Sequence, residues 1–352
     1  MSPRMSDEAK TPSAPSGSGR SPEAPPDVNT FADAPPQLDT TRQEPFLLEQ
    51  ALLHHVHELI ARGAVDEGMS ELLPALKACR ERCAPSEWLE VVKLCLRHPL
   101  RELLHEDPFT RHAYVKPRGY AGDAVLMDYI YSVDEGWPVP EGTSELGQKL
   151  FAWTTRSPAC EGVRARREFI AGLLDRLAEQ KERPHVLSVA SGHLREVLLS
   201  ASVKRRRLGR LLALDADRQT LAEVERCYGA YNIETVAASV REILTRGESF
   251  GSFDLVYSLG LFDYLSQGAG QRLAAGMFRL LRPGGRLLLA NFLPGIPDWG
   301  YMESYMDWKL IYRTRQEMLD LIARIPQEET HEIRIFAEEN QNIIFLEVTR
   351  RV

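Results

Sequence analysis

The sequence predicts an α/β protein, a doubly wound and mostly parallel sheet with an N-terminal helical cap. Three observations support this fold class. Short apolar runs of strand type recur from residue 185 onward and alternate with helical stretches, as parallel strands joined by crossover helices do. The first run ends in a glycine turn and the second in a carboxylate, which is typical of the ligand-binding edge of such sheets. Residues 45–104 carry apolar side chains at helical spacing and precede all the strands.

The N-terminal segment differs in composition from the rest of the chain. Residues 1–42 are rich in Pro, Ser, Ala, Gly and Asp and nearly lack aromatic side chains. Such a segment cannot bury enough apolar surface to offset its ordering entropy, so we expect a disordered tail. The predicted organisation is therefore a tail over 1–42, a helical cap over 43–159 and an α/β domain over 160–352.

Composition excludes several classes of protein. The net charge of −7 argues against a general nucleic-acid binder, because such proteins carry basic patches. Five scattered cysteines without a CxxC pair favour reduced thiols and a cytoplasmic location. No apolar run reaches the roughly 18–20 residues that cross a membrane, so we expect no membrane contact. His54, His55 and His57 lack Cys or acidic partners at metal-binding spacing, and we expect no metal.

The first predicted strand of the sheet ends in a sharp turn. Residues 185–196 read HVLSVASGHLRE, an apolar run followed by Ser191-Gly192 and then by helical spacing. Gly192 would let the backbone approach a ligand closely, and a helix N-terminus behind it would offer free N–H groups. The pattern is typical of a nucleotide site, and also of a tight βα turn without any ligand.

The second predicted strand ends in a carboxylate. Residues 211–215 read LLALD, and Asp215 follows Gly192 by about twenty residues, the spacing at which an acidic residue accepts hydrogen bonds from ribose hydroxyls. Later apolar runs predict the remaining strands: 235–238, 253–258, 286–292 after a Pro-Gly-Gly turn, and a hairpin within 330–348 that completes the sheet edge.

Two segments outside the strands are dense in aromatic side chains. Residues 104–131 combine turn residues with tyrosines and charges, and loops of this kind usually do more than connect elements. Residues 291–312 carry two tryptophans and several tyrosines, and we expect them to lie over the ligand edge of the sheet. The alternative for the first segment is a loop that its tyrosines merely pack onto the domain.

The order of these motifs resembles the class I S-adenosylmethionine (SAM) methyltransferase fold, which is Rossmann-like. The resemblance covers roughly residues 160–350 and rests on the strand–glycine and strand–acid units, on FDLVYS and on LLRPGGRLLLANF. One feature departs from that family. Its first motif usually has an acidic residue in the strand and two or three glycines, whereas this chain has Ser188 and one glycine.

A second resemblance is more specific and extends from about residue 45 to the C-terminus. The stretches DPFTRHAYVKPRGYAGDAVLMDYIY, YSLGLFDYL and YMDWKLIYRT are similar to a branch of this fold in bacterial specialised metabolism. That branch includes the 3-hydroxypalmitic acid methyl ester synthases and the azetidine-2-carboxylate synthases of nonribosomal peptide clusters. It implies SAM as methyl donor or substrate, a small-molecule substrate and no metal; the sequence does not indicate an oligomeric state.

The resemblance also implies which residues meet SAM. The residues assigned to SAM binding follow the first three strands or lie in the aromatic loop: Ser188, Ser191, Gly192, His193, Asp215, Ser239, Val240, Arg118 and Tyr114. The residues assigned to the reacting end follow the fourth strand or lie in the same loop: Ser258, Asp263, Tyr264 and Tyr120.

Several of these assignments have structural alternatives. Arg118 can bind a carboxylate through its bidentate fork, or form an ion pair with Asp123 or Asp128. Tyrosine and phenylalanine rings hold a sulfonium cation well, at roughly 0.5–2 kcal/mol per contact. The candidates for such contacts can equally be core residues: Tyr114, Tyr120, Tyr257, Phe262 and Tyr264.

Two reactions fit the sequence. In the first, the leading interpretation, the amine of SAM attacks its own γ-carbon and gives azetidine-2-carboxylate and 5′-methylthioadenosine. In the second, the methyl group passes to an oxygen of a small acid. In the signal-synthase branch the first motif commonly reads ACGPARE, whereas this chain reads ASGHLRE, and this difference beside the methionine end favours cyclisation. A SAM-sensing module without catalysis is a third interpretation.

Overall fold

The computed structural model describes residues 43–352 of the chain, with side chains from residue 50. The tail predicted over 1–42 lies outside the described residues. Residues 44–352 form one compact unit. Within the described part, no helix has both the length and the apolar character that crossing a bilayer requires.

A seven-stranded sheet forms the centre of the protein. Its strands are β1 (His185–Val189), β2 (Arg210–Asp215), β3 (Ile233–Ala237), β4 (Phe253–Ser258), β5 (Leu281–Phe292), β6 (Thr330–Ala337) and β7 (Ile343–Arg350). The spatial order is β3-β2-β1-β4-β5-β7-β6, with β1 to β5 parallel and β7 antiparallel to both neighbours. This confirms the doubly wound, mostly parallel sheet with a C-terminal hairpin.

The direction of winding reverses between β1 and β4. The chain proceeds outward from β1 to β2 and β3, then crosses back to β4 beside β1. In open α/β sheets the crevice at such a switch point, outside the carboxyl ends of the strands, is where ligands bind. The topology therefore places a candidate binding site above the ends of β1 and β4.

Two of the parallel strands begin at least two residues before their predicted starts. β3 begins at Ile233, two residues before the predicted start, because its pairing with β2 begins at Leu211. β5 begins at Leu281 and includes the Pro-Gly-Gly segment that we expected to be a turn before it. The register with β4 shifts between Phe253 and Leu255, so this segment bulges within a paired strand.

The cap and the flanking layers are helical. Cap helices are α1 (Gln43–Ala61), α2 (Val65–Arg82), α3 (Pro85–Arg97), α4 (Leu100–Leu104), α5 (Pro108–Val115), α6 (Ala124–Glu135) and α7 (Glu145–Thr154). The α/β part contains α8 (Pro158–Gln180), α9 (Ala201–Lys204), α10 (Arg218–Tyr228), α11 (Val240–Arg246), α12 (Gln267–Arg279), α13 (Trp299–Ser304) and α14 (Arg315–Asp320). The helical cap is therefore confirmed.

The insertion between β5 and β6 packs onto the cap through α13. Glu303 on α13 accepts hydrogen bonds from Trp88 Nε1 at 2.7 Å and from Arg80 Nε at 2.8 Å. A Cβ at Gly300 would lie 2.7 Å from the main-chain carbonyl of Leu76, so only glycine permits this close approach to α2. These contacts hold the insertion above the edge of the sheet.

The histidines of α1 form no metal-ligand group. His54 Nε2 lies 3.5 Å from Glu58 and His55 Nε2 lies 3.3 Å from Glu71, all with exposed side chains. Among the residues that the structure describes, no cluster of three or more His, Cys, Asp or Glu side chains has a geometry suited to a metal ion.

Candidate functional site

A cavity of about 490 Å³ lies over the carboxyl ends of β1 to β5. Its floor comes from the residues that follow each of these strands, and its roof from α6, the loop 120–124 and residues 308–310. α8 contributes Val163 and Arg166 to one wall. The volume falls within the range of pockets that enclose one small organic ligand.

The loop after β1 has an unusual backbone conformation. Ala190, Gly192 and Leu194 each have φ 53°, a left-handed conformation that non-glycine residues rarely adopt. The loop continues into a 3₁₀ helix over Arg195–Leu198, so the α-helix that we predicted directly after Gly192 is absent from this position. The alternating left-handed residues interrupt the helical hydrogen bonds, and the loop curls beneath the cavity.

Asp215 fixes the position of this loop. Its carboxylate accepts the Gly192 N–H at 3.0 Å and the Asp217 N–H at 2.9 Å, and the residue lines the cavity at the end of β2. A carboxylate that is held in this way has lone pairs left for a ligand. Asp215, the residue that we predicted to bind ribose, therefore lines the cavity with hydrogen-bonding capacity to spare.

The residues after β3 form the next part of the floor. Ala238, Ser239 and Val240 line the cavity, and Ser239 caps α11 in a capping box with Glu242. Because the capping box occupies the Ser239 hydroxyl, this segment offers main-chain groups and apolar surface to a ligand rather than a free side-chain hydroxyl.

The end of β4 carries a buried carboxyl group and an aromatic wall. Asp263 lines the cavity but is only 2% exposed, and it accepts the Phe292 N–H at 2.8 Å. Burial raises the pKa of Asp263 from 3.8 to about 6. Trp308 Nε1 donates to the Tyr264 oxygen at 2.7 Å, and the Tyr264 ring meets the Tyr120 ring edge-on at 6.4 Å.

The part of the cavity below α6 is polar. Arg166 is 5% exposed and donates from Nη1 to the Leu259 carbonyl at 2.5 Å. Glu196 is also buried, and the Tyr257 hydroxyl donates to its Oε1 at 2.5 Å. Burial raises the pKa of Glu196 above its ordinary value. A buried cation and a buried carboxylate thus line one end of the cavity without a direct ion pair between them.

His193 joins the β1 loop to the cap. Its Nδ1 lies 2.8 Å from Asp128 on α6, and Asp128 also accepts two hydrogen bonds from Arg195. Although burial of Asp128 acts in the opposite direction, the hydrogen bonds from Arg195 and His193 hold its pKa below the ordinary value. The His193 Nε2 has no hydrogen-bond partner within residues 43–352.

The structure brings most predicted site residues to the cavity. Nine of them line it: Ser188, Ser191, Gly192, His193, Asp215, Ser239, Val240, Asp263 and Tyr264. Tyr120 from the aromatic loop also lines it and is 40% exposed. Burial and the neighbouring Asp215 carboxylate raise the pKa of Tyr120 to about 12, so its hydroxyl stays protonated at neutral pH.

Three predicted site residues lie elsewhere. Tyr114 packs against His105 and under the guanidinium of Arg101, away from the cavity lining, because α5 turns its side chain toward α4. Ser258 is fully buried within the sheet at the last position of β4.

Arg118, the third, pairs with neither of the two aspartates that we considered. Its Nη1 donates to Asp217 at 2.7 Å and to Thr220 at 2.6 Å, at the start of α10. The aromatic loop crosses the edge of the sheet here, which carries Arg118 past the cap aspartates and onto the β2–α10 turn. Its observed contacts therefore tie the cap to the α/β part.

Of the cation-cage candidates, Tyr257 lines the cavity, whereas Phe262 is a core residue on the other side of the sheet. Sequence reasoning also missed Arg166 and Glu196. The sequence does indicate that Arg166 is buried. It lies at helical spacing between Val163 and Ile170, on the face of α8 that packs into the core.

Comparisons with known proteins agree with this architecture. Residues 186–285 match the family model of a methyltransferase domain. A comparison with curated proteins finds no match. A possible exported protein from Bordetella parapertussis has a similar structure, with TM-score 0.53 and 14% identity over 86% of this chain and 97% of that one.

Two further solved structures are similar over part of the chain. A TehB-like SAM-dependent methyltransferase from Corynebacterium glutamicum is 15% identical, with TM-score 0.38 over 53% of this chain and 88% of that one. Magnesium protoporphyrin IX methyltransferase from Synechocystis is 12% identical, with TM-score 0.41 over 64% and 98%.

The family match covers residues 186–285, which contain β1 to β4 and the start of β5. This central part of the sheet, with the cavity over its switch point, is therefore similar to a methyltransferase domain. The more specific branch that the aromatic loop resembles stays a prediction.

Proposed function

We propose that the cavity binds SAM. The ribose hydroxyls would bind Asp215, the adenine would lie beside Ala238 and Val240, and the methionine part would follow the β1 loop. The residues fit such a ligand, since Asp215 has free lone pairs and a methyl group at Gly192 would meet only Ala124, at 3.7 Å. The floor of the cavity is thus open to a ligand that approaches the backbone.

We further propose that the enzyme transfers the methyl group to an oxygen of a small acid that also carries a hydroxyl group. The observation that carries this proposal is Asp263. It is a buried carboxyl at the end of β4, it lines the cavity, and its pKa of about 6 suits a general base at neutral pH. A carboxylate of ordinary pKa would be a much weaker base.

The chemistry assigned to these residues is an in-line displacement. Asp263 accepts the proton of the acceptor hydroxyl while the oxygen bonds to the methyl carbon. The carbon–sulfur bond breaks, and its electron pair stays on sulfur. The aromatic wall beside Asp263 consists of Tyr264, Tyr120 and Trp308. Its rings would face the sulfonium of SAM, and their main contribution is to align the reactants and to exclude water.

A second reaction, cyclisation of SAM to azetidine-2-carboxylate, is favoured by how closely the aromatic wall is packed. A Cβ at Gly122 would lie 2.3 Å from the Tyr264 oxygen and 3.0 Å from Trp308, so the cap loop presses against the wall and leaves little space for an acceptor. In this reaction the amine nitrogen bonds to the γ-carbon, methylthioadenosine leaves, and His193 Nε2 is a candidate acceptor for the amine proton.

One experiment separates the two reactions. The purified full chain is incubated with SAM alone and with SAM plus 3-hydroxybutyrate or 4-hydroxybenzoate, and the products are analysed by mass spectrometry. S-adenosylhomocysteine that forms only when an acceptor is present supports methyl transfer. Methylthioadenosine and azetidine-2-carboxylate formed from SAM alone overturn it in favour of cyclisation. The same assay is applied to Asp263→Asn, which removes the proposed base. Asp320→Asn makes the same change at an exposed position of α14 and is its control.

A further inference from the structure

Arg166 is a buried cation whose hydrogen-bonding capacity is only partly used. Nη1 donates to the Leu259 carbonyl, Nη2 lies 3.9 Å from the sulfur of Met127, and the guanidinium also hydrogen-bonds the Tyr131 side chain. Nε has no hydrogen-bond partner in the described part of the chain. A buried guanidinium is costly unless a carboxylate or several acceptors satisfy it, so this one is suited to an anionic group of a ligand.

Glu196 is the complementary buried anion. Its Oε1 accepts the Tyr257 hydroxyl, and the Ser188 hydroxyl also hydrogen-bonds the Tyr257 oxygen. Tyr257 therefore holds the carboxylate against the end of β1. Of the neighbouring cations, Arg167 already pairs with Asp134 and Glu135, so it does not neutralise Glu196 through a direct hydrogen bond.

Two further basic side chains near this part of the cavity bind a carboxylate of the cap, although His193 does so only through its Nδ1. Arg195 and His193 both bind Asp128. Asp215 and Asp263 also line the cavity and keep capacity for a ligand, but both are acidic. Among the described residues, Arg166 is the cavity-lining arginine without an ion pair to an acidic side chain, and Glu196 is the buried acidic residue beside it. The two carry opposite charges at the same end of the cavity, which matches a group that is itself zwitterionic.

We propose that Arg166 and Glu196 recognise the amino-acid head group of SAM, with Arg166 binding its carboxylate and Glu196 its ammonium group. Tyr257 is the positioning residue that orients Glu196. This inference rests on the proposed binding of SAM. Affinity for the head group then depends on two buried charges, Arg166 on α8 and Glu196 on the 3₁₀ helix after β1.

Three ligands measured by isothermal titration calorimetry test the pair. S-adenosylhomocysteine carries both charged groups, decarboxylated S-adenosylhomocysteine keeps only the ammonium group, and methylthioadenosine has neither. Losing a hydrogen bond to a charged group lowers a binding affinity by about 10- to 150-fold. Glu196→Gln should therefore lower the affinity for the first two ligands by that factor and leave the affinity for methylthioadenosine unchanged. Arg166→Met should weaken S-adenosylhomocysteine alone.

Arg176→Met and Glu179→Gln are matched controls, because they make the same changes at exposed positions of α8, outside the cavity. Both should bind all three ligands like the wild type. Tyr257→Phe is the second variant, and it should weaken the two amine ligands relative to methylthioadenosine even if a charge variant fails to fold.

The outcomes distinguish this inference from the proposed function. Equal losses for all three ligands, or no loss for any, would overturn the head-group pair while SAM binding stands. A wild-type protein that binds neither S-adenosylhomocysteine nor methylthioadenosine would overturn the proposed SAM site itself.

Discussion

Replacing Asp263 with asparagine should stabilise the protein while removing its base. The asparagine side chain keeps an oxygen that can accept the Phe292 N–H. The folded pKa of Asp263 is about 6 against an ordinary value of 3.8, so the ionised carboxylate costs the folded state about 3 kcal/mol at pH 7. Because the pKa is raised on folding, this cost is absent below about pH 4, grows up to about pH 6 and is constant above it.

Asp263→Asn should therefore increase the free energy of unfolding at pH 7 by up to about 3 kcal/mol and leave it unchanged near pH 4, as measured by urea denaturation. The rate of S-adenosylhomocysteine formation should fall by about 100- to 10,000-fold. The wild-type rate should rise with pH through about 6 and then level off. Loss of stability at pH 7, or a rate like that of the wild type, would refute the assignment of Asp263 as a base whose burial raises its pKa.

Three other variants test the wall and the cap. Tyr264→Phe leaves Trp308 Nε1 without its acceptor and should lower the free energy of unfolding by about 1 kcal/mol in urea denaturation; no change would show that water replaces the bond. Gly122→Ala forces a Cβ against Tyr264 and should cost about 1–3 kcal/mol, measured as a lower denaturation midpoint. Arg118→Met removes the tie to Asp217 and should speed release of S-adenosylhomocysteine several-fold in stopped-flow measurements, and an unchanged rate would contradict a tethering role.

The sheet was predictable because its signals are local. The central parallel strands are buried on both faces and read as nearly continuous apolar runs, as FDLVYS does at β4, whereas the edge strand β3 is partly exposed. The hairpin of β6 and β7 follows from the turn at 338–342. The bulge at the start of β5 was not predictable, because it depends on the register against β4 rather than on the Pro-Gly-Gly segment itself.

The floor of the cavity was also predictable, since residues that follow parallel strands meet at one edge of the sheet. Asp215 and Asp263 were identified by this rule. The same rule failed for Ser258, which is still inside β4. Side chains from the cap need the tertiary structure, because the path of the loop decides that Tyr120 reaches the cavity and Tyr114 does not.

Calorimetric titration of S-adenosylhomocysteine into the wild type and into Asp215→Ala tests the central claim most directly. If the cavity is the SAM site, the wild type binds one molecule per chain. The Asp215→Ala variant loses two hydrogen bonds to a charged group, and its affinity should fall by about 100-fold or more, with the same fall for methylthioadenosine, which keeps the ribose. A wild type that does not bind, or a variant that binds as tightly as the wild type, would contradict the account.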